Sequence, residues 1–405
     1  MADPATSPPL TRASVQAARA LIAPYVHHTP TLTNRTLTRL ASTPRTREEL
    51  QRYPEWERVE NPANPKLRLW FKCENLQRVG AFKVRGAFHA LGRLLGEEGF
   101  EKGRGWLRIL VALSLAARTH GIPAYIVMPE ISPPPKIAAT RGYGSKVVFS
   151  GSTSVEREAV TAQVIEETGA RLVPPYDHPD IVLGQGTLGL ELQEDAARMM
   201  AEEEGEGEGR QDPEGGRCSF AAPVTKEDDD GAGRKGEGDD TAAGTKGKGK
   251  KKKAGLDAIL APCGGGGMLS GVALSCEGTG IRVFGCEPSF QGADDAKRGF
   301  ESGTRVEAVS SLTVADGLRT PLGKVPWHVI YERKLVSGFY SVGEREICDA
   351  LRLVLERFKM VVEPSAAVPL AVALYNEEFR RMVVEGGGTR GLGFGGRVQW
   401  GEYQS

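Results

Sequence analysis

Two hydrophobic periods alternate along this chain. Val15, Ala18 and Ile22 share one face of a helix within residues 14 to 26, and Pro30, closing HHTP, forces an extended turn. Residues 41 to 66, ASTPRTREELQRYPEWERVENPANPK, are polar and proline-rich and read as a surface excursion before the strand RLWFKCE. GAFHALGRLL then reads as a helix. AYIVMP and KVVFSG read as strands, separated by a helix around Lys136 to Arg141 and followed by an amphipathic helix from Val155 to Thr168. After ARLVPPY, the segment GQGTLGLELQEDAARMM resumes a helix. Strands alternating with helices predict an α/β fold built on a parallel sheet covered by helices.

From Ala201 to about Ala254 apolar residues nearly vanish, and the segment reads as a disordered insertion ending in the solvated cluster Lys250 to Lys253. Order returns at LDAILAPCGGGGMLSGVAL, followed by the strand IRVFGCEPS, the loop TVADGLRT, a helix from Glu344 to Lys359, and VVEPSAAVPLAVAL. No internal repeat is visible.

Composition narrows the partner. The 405 residues carry 52 basic and 52 acidic side chains, so nothing in the net charge favours nucleic acid or an anionic membrane, and a small molecule is the expected ligand. Cys73, Cys218, Cys263, Cys276, Cys286 and Cys348 show no metal-ligand spacing and suit a reducing cytoplasm. The amino terminus lacks a signal-peptide core, and ILVALSLAA, Ile109 to Ala117, is too short to span a bilayer.

Two segments carry chemistry. In ENLQRVGAFKVRGA, residues 74 to 87, Lys83 sits between Phe82 and Val84, where partial desolvation would lower its pKa toward the reactive amine. The plainer reading is a helix-start lysine whose stem packs while its head reaches solvent. In LDAILAPCGGGGMLSGVALS, four glycines stand between a buried strand and a helix, where converging backbone N–H groups make an anion cradle. No Lys-Ser or Lys-Thr follows, so this is no Walker loop, and no acidic ribose partner can be placed for a dinucleotide. A phosphate cradle together with a desolvated lysine points to pyridoxal 5'-phosphate.

In order, PYVHHTPTLTNRTL, FKCENLQRVGAFKVRGAFHAL, GIPAYIVMP, KIAATRGYGSKVVFSG, LGQGTLGLEL, CGGGGMLSG, CEPSFQGADDA, TVADGLRT and VEPSAAVPLAVAL resemble the serine/threonine dehydratase and serine racemase family. The resemblance implies a tryptophan-synthase-β-like fold (fold type II). Residues 1–100 and 185–405 would form a large lobe and 101–184 a smaller mobile one. It further implies Lys83 as the Schiff-base lysine, Gly264, Gly265, Gly266, Gly267 and Met268 as the phosphate cup, Phe82 against the ring, and Glu363 at its edge. In the racemase-like branch a cation, Mg²⁺ or Ca²⁺, would sit on Glu287, Asp295 and the carbonyl of Ala293. A cytoplasmic homodimer acting on a small amino acid such as L-serine or L-threonine is the expected setting, with a 2-oxo acid and ammonia as products. Racemisation would need a second acid-base group on the opposite face. No regulatory domain is expected to follow the catalytic part, unlike in the feedback-regulated biosynthetic threonine dehydratases.

Two segments depart from the family. Its Ser-Ser-Gly-Asn-His loop, which binds the substrate carboxylate and the ring oxygen, is replaced around Gly105 to Val111 by residues that include neither serine nor asparagine. Its carboxyl-terminal Ser-Gly-Gly-Asn, whose serine bonds the pyridine nitrogen, is replaced by Phe394, Gly395, Gly396 and Arg397. Two readings stand: a degenerate member that folds and binds cofactor as a pseudoenzyme, or a chain altered locally by a faulty gene model or splice form.

Overall fold

The computed structural model describes residues 6–97, 106–108, 111–132, 134–151, 154–173, 176–208, 255–386 and 398–402. Internal contacts divide the chain into Met1–Ala196 with Leu256–Ser405, and Ala197–Gly255. Most of the low-complexity stretch lies outside the described residues; within it, 201–208 form the end of the helix Pro179–Glu208.

Among the described residues, ten strands carry the first unit: β1 (Thr31–Thr33), β2 (Leu69–Cys73), β3 (Trp106–Arg108), β4 (Ala124–Pro129), β5 (Lys146–Ser150), β6 (Arg171–Leu172), β7 (Ala258–Pro262), β8 (Arg282–Pro288), β9 (Gly338–Val342) and β10 (Val398–Glu402). They form a six-stranded sheet in the order β1-β2-β10-β7-β8-β9 and a four-stranded sheet in the order β5-β4-β3-β6. Only β1 on β2 is antiparallel; every other neighbouring pair runs parallel. Parallel strands are covered on both faces, and β2 and β7 are buried along their whole lengths. The four-stranded sheet falls within residues 101–184, and the strands of the six-stranded sheet all fall outside them.

Strand order positions the site. β10 bridges β2 and β7, so the segment leaving β2 toward Lys83 and the glycine loop leaving β7 depart from the same end of the sheet on either side of it. In open α/β sheets the crevice at the carboxyl ends of such strands is where ligands bind.

The helix Pro179–Glu208 touches both departing segments at glycines. A Cβ on Gly184 would lie 2.7 Å from the Cα of Gly86, in the helix Lys83–Leu95, and 2.8 Å from the Arg85 carbonyl oxygen. Two residues on, a Cβ on Gly186 would come within 2.5 Å of the Gly271 carbonyl oxygen, in the helix Gly267–Cys276. Gly189 would meet Ser275 Oγ at 2.2 Å. The three helices therefore pack backbone to backbone, which any side chain at these positions would prevent.

Several expectations need correction. The stretch 41–66 is no simple surface excursion: it holds the short helix Arg47–Leu50, capped reciprocally by Thr46 and Glu49, and buries Arg45, Leu50, Tyr53 and Ala63. Its polar groups turn inward: Arg45 Nε donates to the Leu374 carbonyl at 2.8 Å, Trp56 Nε1 to Glu346 at 2.9 Å, and Tyr53 Oη to Asp349 at 3.0 Å. The helix after β2 begins at Lys83 rather than Gly86, and the helix beginning at Glu344 ends at Arg357.

Gly186→Ala should lower the unfolding free energy by roughly 1–3 kcal/mol through overpacking. Gly142→Ala, where a Cβ would meet nothing within 4 Å, should leave it unchanged. Urea unfolding of the two variants checks the difference.

Candidate functional site

β7 runs through buried Cys263 into Gly264, and the helix begins at Gly267. Gly266 holds φ +80°, a left-handed conformation suited to glycine. The loop is pressed from both sides. A Cβ on Gly265 would stand 2.4 Å from the Tyr176 ring and one on Gly267 2.9 Å from the Tyr176 carbonyl oxygen, while one on Gly264 would stand 3.0 Å from Leu318 Cα and one on Gly266 2.2 Å from Leu322. No side chain caps the helix, and first-turn amides lack intrahelical acceptors. The result is a bare, electropositive helix start suited to an anion.

From β2 the chain passes through two short 3₁₀ turns, with Val79 and Gly80 both at positive φ, before Phe82 and Lys83 open their helix. Lys83 is half-buried, its Nζ 5.9 Å from the Phe82 ring centroid. A cavity of about 780 Å³ brings together Phe82, Lys83, Gly264, Gly265, Gly266, Gly267 and Met268. Glu363 is not among its lining residues; it precedes the helix Pro364–Tyr375, whose second residue, Ser365, does line it. Among the further lining residues that escaped the sequence reading are Arg157, from the helix Ser154–Thr168, Tyr176 and Ser365.

Behind Lys83 lies a buried ion lattice that the sequence did not reveal. Arg85, fully buried, donates to both oxygens of Glu74 at 2.8 and 2.7 Å and to both of Glu191 at 2.6 and 2.9 Å. Lys72 Nζ sits 2.8 Å from Glu191 and 3.4 Å from Asp195, and donates to the Thr29 carbonyl at 2.7 Å. Burial pushes the Glu191 carboxyl up, but Arg85 and then Lys72 outweigh it and hold it below its usual value; Asp195 is held low against burial by Lys72, Thr31 and His28. The planar guanidinium suits this double fork, and it fastens the turn after β2 to the helix Pro179–Glu208 two residues past Lys83.

Glu287, Ala293 and Asp295 are not among the cavity's lining residues, and among the described residues no group of three or more His, Cys, Asp or Glu side chains is placed to hold a metal ion. Glu287 accepts the amides of Ala296 at 3.1 Å and Lys297 at 2.7 Å, and Asp295 Oδ2 accepts that of Leu322 at 3.0 Å. Asp295 Oδ1 is buried without a hydrogen-bond partner. Burial pushes Asp295 up to about 6; burial and then Asp295 raise Glu287.

At the replaced loop, β3 ends at Arg108 and the next helix, Val111–Thr119, starts after Ile109 and Leu110 alone, which lie outside the described residues. Phe394, Gly395, Gly396 and Arg397 also lie outside them.

A fold and cavity of this kind define a class. A family model described as "Pyridoxal-phosphate dependent enzyme" matches residues 49–202 and 247–386, and the chain belongs to that family, with the fold-type-II architecture. It is 33% identical over 368 residues to a serine racemase of Arabidopsis thaliana, spanning 90% of this chain and 85% of that one. It is 34% identical over 317 residues to a β-hydroxyaspartate dehydratase of Paracoccus denitrificans, spanning 76% and 80%. The crystal structure of serine racemase from Dictyostelium discoideum superposes with a TM-score of 0.68 at 29% identity, covering 97% of each chain.

Replacing Arg85 with Met should cost roughly 3–5 kcal/mol at neutral pH, because it takes the guanidinium from buried Glu74 and leaves buried Glu191 with Lys72 in place of two cations. Glu191 has a depressed folded pKa, so its stabilisation is present above the ordinary carboxylate range and lost as pH falls through the lower folded value. The gap between wild type and Arg85→Met should therefore narrow below about pH 4. Urea titrations at neutral and acid pH measure it.

Proposed function

We propose that this protein binds pyridoxal phosphate at Lys83 and the glycine cradle and acts on small β-hydroxy amino acids, in the manner of a serine or threonine ammonia-lyase or a serine racemase. One observation carries the reading: the lysine and the four glycines line one cavity of about 780 Å³. The residues fit the group, because no Cβ could be added at any of the four glycines without striking Leu318, Tyr176 or Leu322, so the loop is held bare, and the helix start leaves amides to meet a phosphate. When bound, pyridoxal phosphate supplies an electron sink for charge developing at the substrate Cα.

The chain's own residues then have distinct tasks. Gly264 to Met268 hold the phosphate through backbone amides, and Phe82 excludes water beside Lys83. The Nζ of Lys83, when free, takes the Cα proton. Among the described residues that line the cavity, Arg157 brings a second positive charge beside Lys83, which favours a substrate carrying a carboxylate. In this reading residues 101–184 act as a smaller lobe that moves against the rest, and a cytoplasmic homodimer is the working form. Among the described residues no helix is long and apolar enough to cross a membrane.

Catalysis by this chain is weak in this account. The connection after β3 offers no hydroxyl or side-chain amide, and loss of even one transition-state donor costs on the order of 2.7–4 kcal/mol. Borohydride reduction of the protein with pyridoxal phosphate, followed by peptide mapping, should place the pyridoxyl group on Lys83. Lys83→Ala should stay folded and take up no label. Label on another lysine in the wild type would sink the assignment.

The second part of the reading is a Mg²⁺ or Ca²⁺ site on Glu287, Asp295 and the carbonyl of Ala293. Two carboxylates, a carbonyl and an unsatisfied buried oxygen on Asp295 suit a hard cation. Either ion should raise the melting temperature of the wild type and leave that of Asp295→Asn unmoved; equal shifts in both would refute the site.

A further inference from the structure

We infer that Ser365 donates the hydrogen bond that the ring nitrogen of pyridoxal phosphate requires. The inference rests on the cofactor reading given above. An aromatic nitrogen carrying a lone pair is an acceptor, and burying it without a donor is costly. The segment that the family resemblance assigns to this task carries Phe394 and Arg397 on either side of its glycines, and neither supplies the expected serine hydroxyl.

Among the described residues, four hydroxyl side chains line the cavity: Thr161, Tyr176, Thr320 and Ser365. Thr161 already gives its proton to the Arg157 carbonyl at 2.7 Å. Tyr176 lies across Gly265 and Gly267, on the cradle that meets the phosphate. Thr320 is half-exposed, so solvent can satisfy its hydroxyl. Ser365 differs from all three. It is 3% exposed, and its Oγ accepts the amide of Gly317 at 3.1 Å. A hydroxyl has one proton to donate beside its lone pairs, and among the described residues nothing accepts that of Ser365. A buried side chain thus faces the cavity with its donor unspent.

The backbone holds it there. Ser365 is the second residue of the helix Pro364–Tyr375, which packs against β7, β8, β9 and β10. Its bond to Gly317 ties it to Leu318, the residue that presses on Gly264 of the cradle. A neutral hydroxyl donates without giving its proton away, so the ring nitrogen would stay unprotonated. A carboxylate in the same place would instead favour the protonated ring.

The test uses the full chain loaded with pyridoxal phosphate carrying nitrogen-15 in the ring. Wild type and Ser365→Thr should share a hydrogen-bonded, unprotonated ring-nitrogen resonance. Ser365→Ala should move it toward the position of an unbonded nitrogen and weaken cofactor affinity about tenfold, as loss of one buried hydrogen bond does. Ser365→Asp should move it the other way, to the protonated ring. Unchanged resonances in the Ala variant, or in the Asp variant should the Ala variant fail to bind or fold, would overturn the inference while the cofactor reading stood. Failure of the folded wild type to take up the cofactor would instead overturn the cofactor reading, and this inference with it.

Discussion

Backbone contact between helices at paired glycines is the constraint on which this molecule depends. Pro179–Glu208 meets the lysine-bearing helix at Gly184 and Gly86, and the cradle-bearing helix at Gly186 and Gly271. Because these contacts are steric and close, they leave little freedom in the separation of Lys83 from the glycine loop. Two pieces of chemistry some 180 residues apart in sequence are held on one cavity wall by a helix that contributes mainly the absence of side chains.

Electrostatics completes what packing starts. Taking Arg85 and Lys72 out of water is expensive, and such a lattice is poor evidence for stability as such. Its geometry is directional, however: each carboxylate oxygen of Glu74 and Glu191 receives an N–H from Arg85, so the turn entering Lys83 has one satisfied arrangement. The same principle shapes the cradle, where Tyr176 and the 317–322 segment close on the glycines from opposite sides. A scaffold this specific can persist after the groups that touch substrate have changed. On either side of the replaced loop, β3 pairs in parallel with β4 and β6, and the helix Val111–Thr119 packs on β4.

Much of this was legible in the sequence. Alternating strands and helices gave the parallel sheet, AYIVMP forms β4 from its first residue to its last, and the cavity unites Lys83 with Gly264 to Met268. What escaped has physical causes. The buried lattice was invisible because Lys72, Glu74, Arg85, Glu191 and Asp195 look like surface charges until tertiary structure pairs them. Residues 41–66 misled for the related reason that their polar groups serve buried carbonyls and carboxylates. Ser365 gave no signal beyond its place after Glu363 and Pro364, since one serine in an apolar helix says nothing about the cavity it faces. The glycines of LGQGTLGLEL were a signal that could have been read, because a helix rarely carries three without close neighbours.

The account stands on the claim that the glycine seams deliver Lys83 and the cradle to one pyridoxal phosphate. A crystal structure of the protein grown with pyridoxal phosphate tests it most directly. The account predicts the phosphate on the amides of Gly264 to Met268 and the ring joined to Lys83 Nζ. A cofactor seated elsewhere, or a cavity in which the phosphate lies on the cradle with Lys83 turned away from the ring, would contradict it.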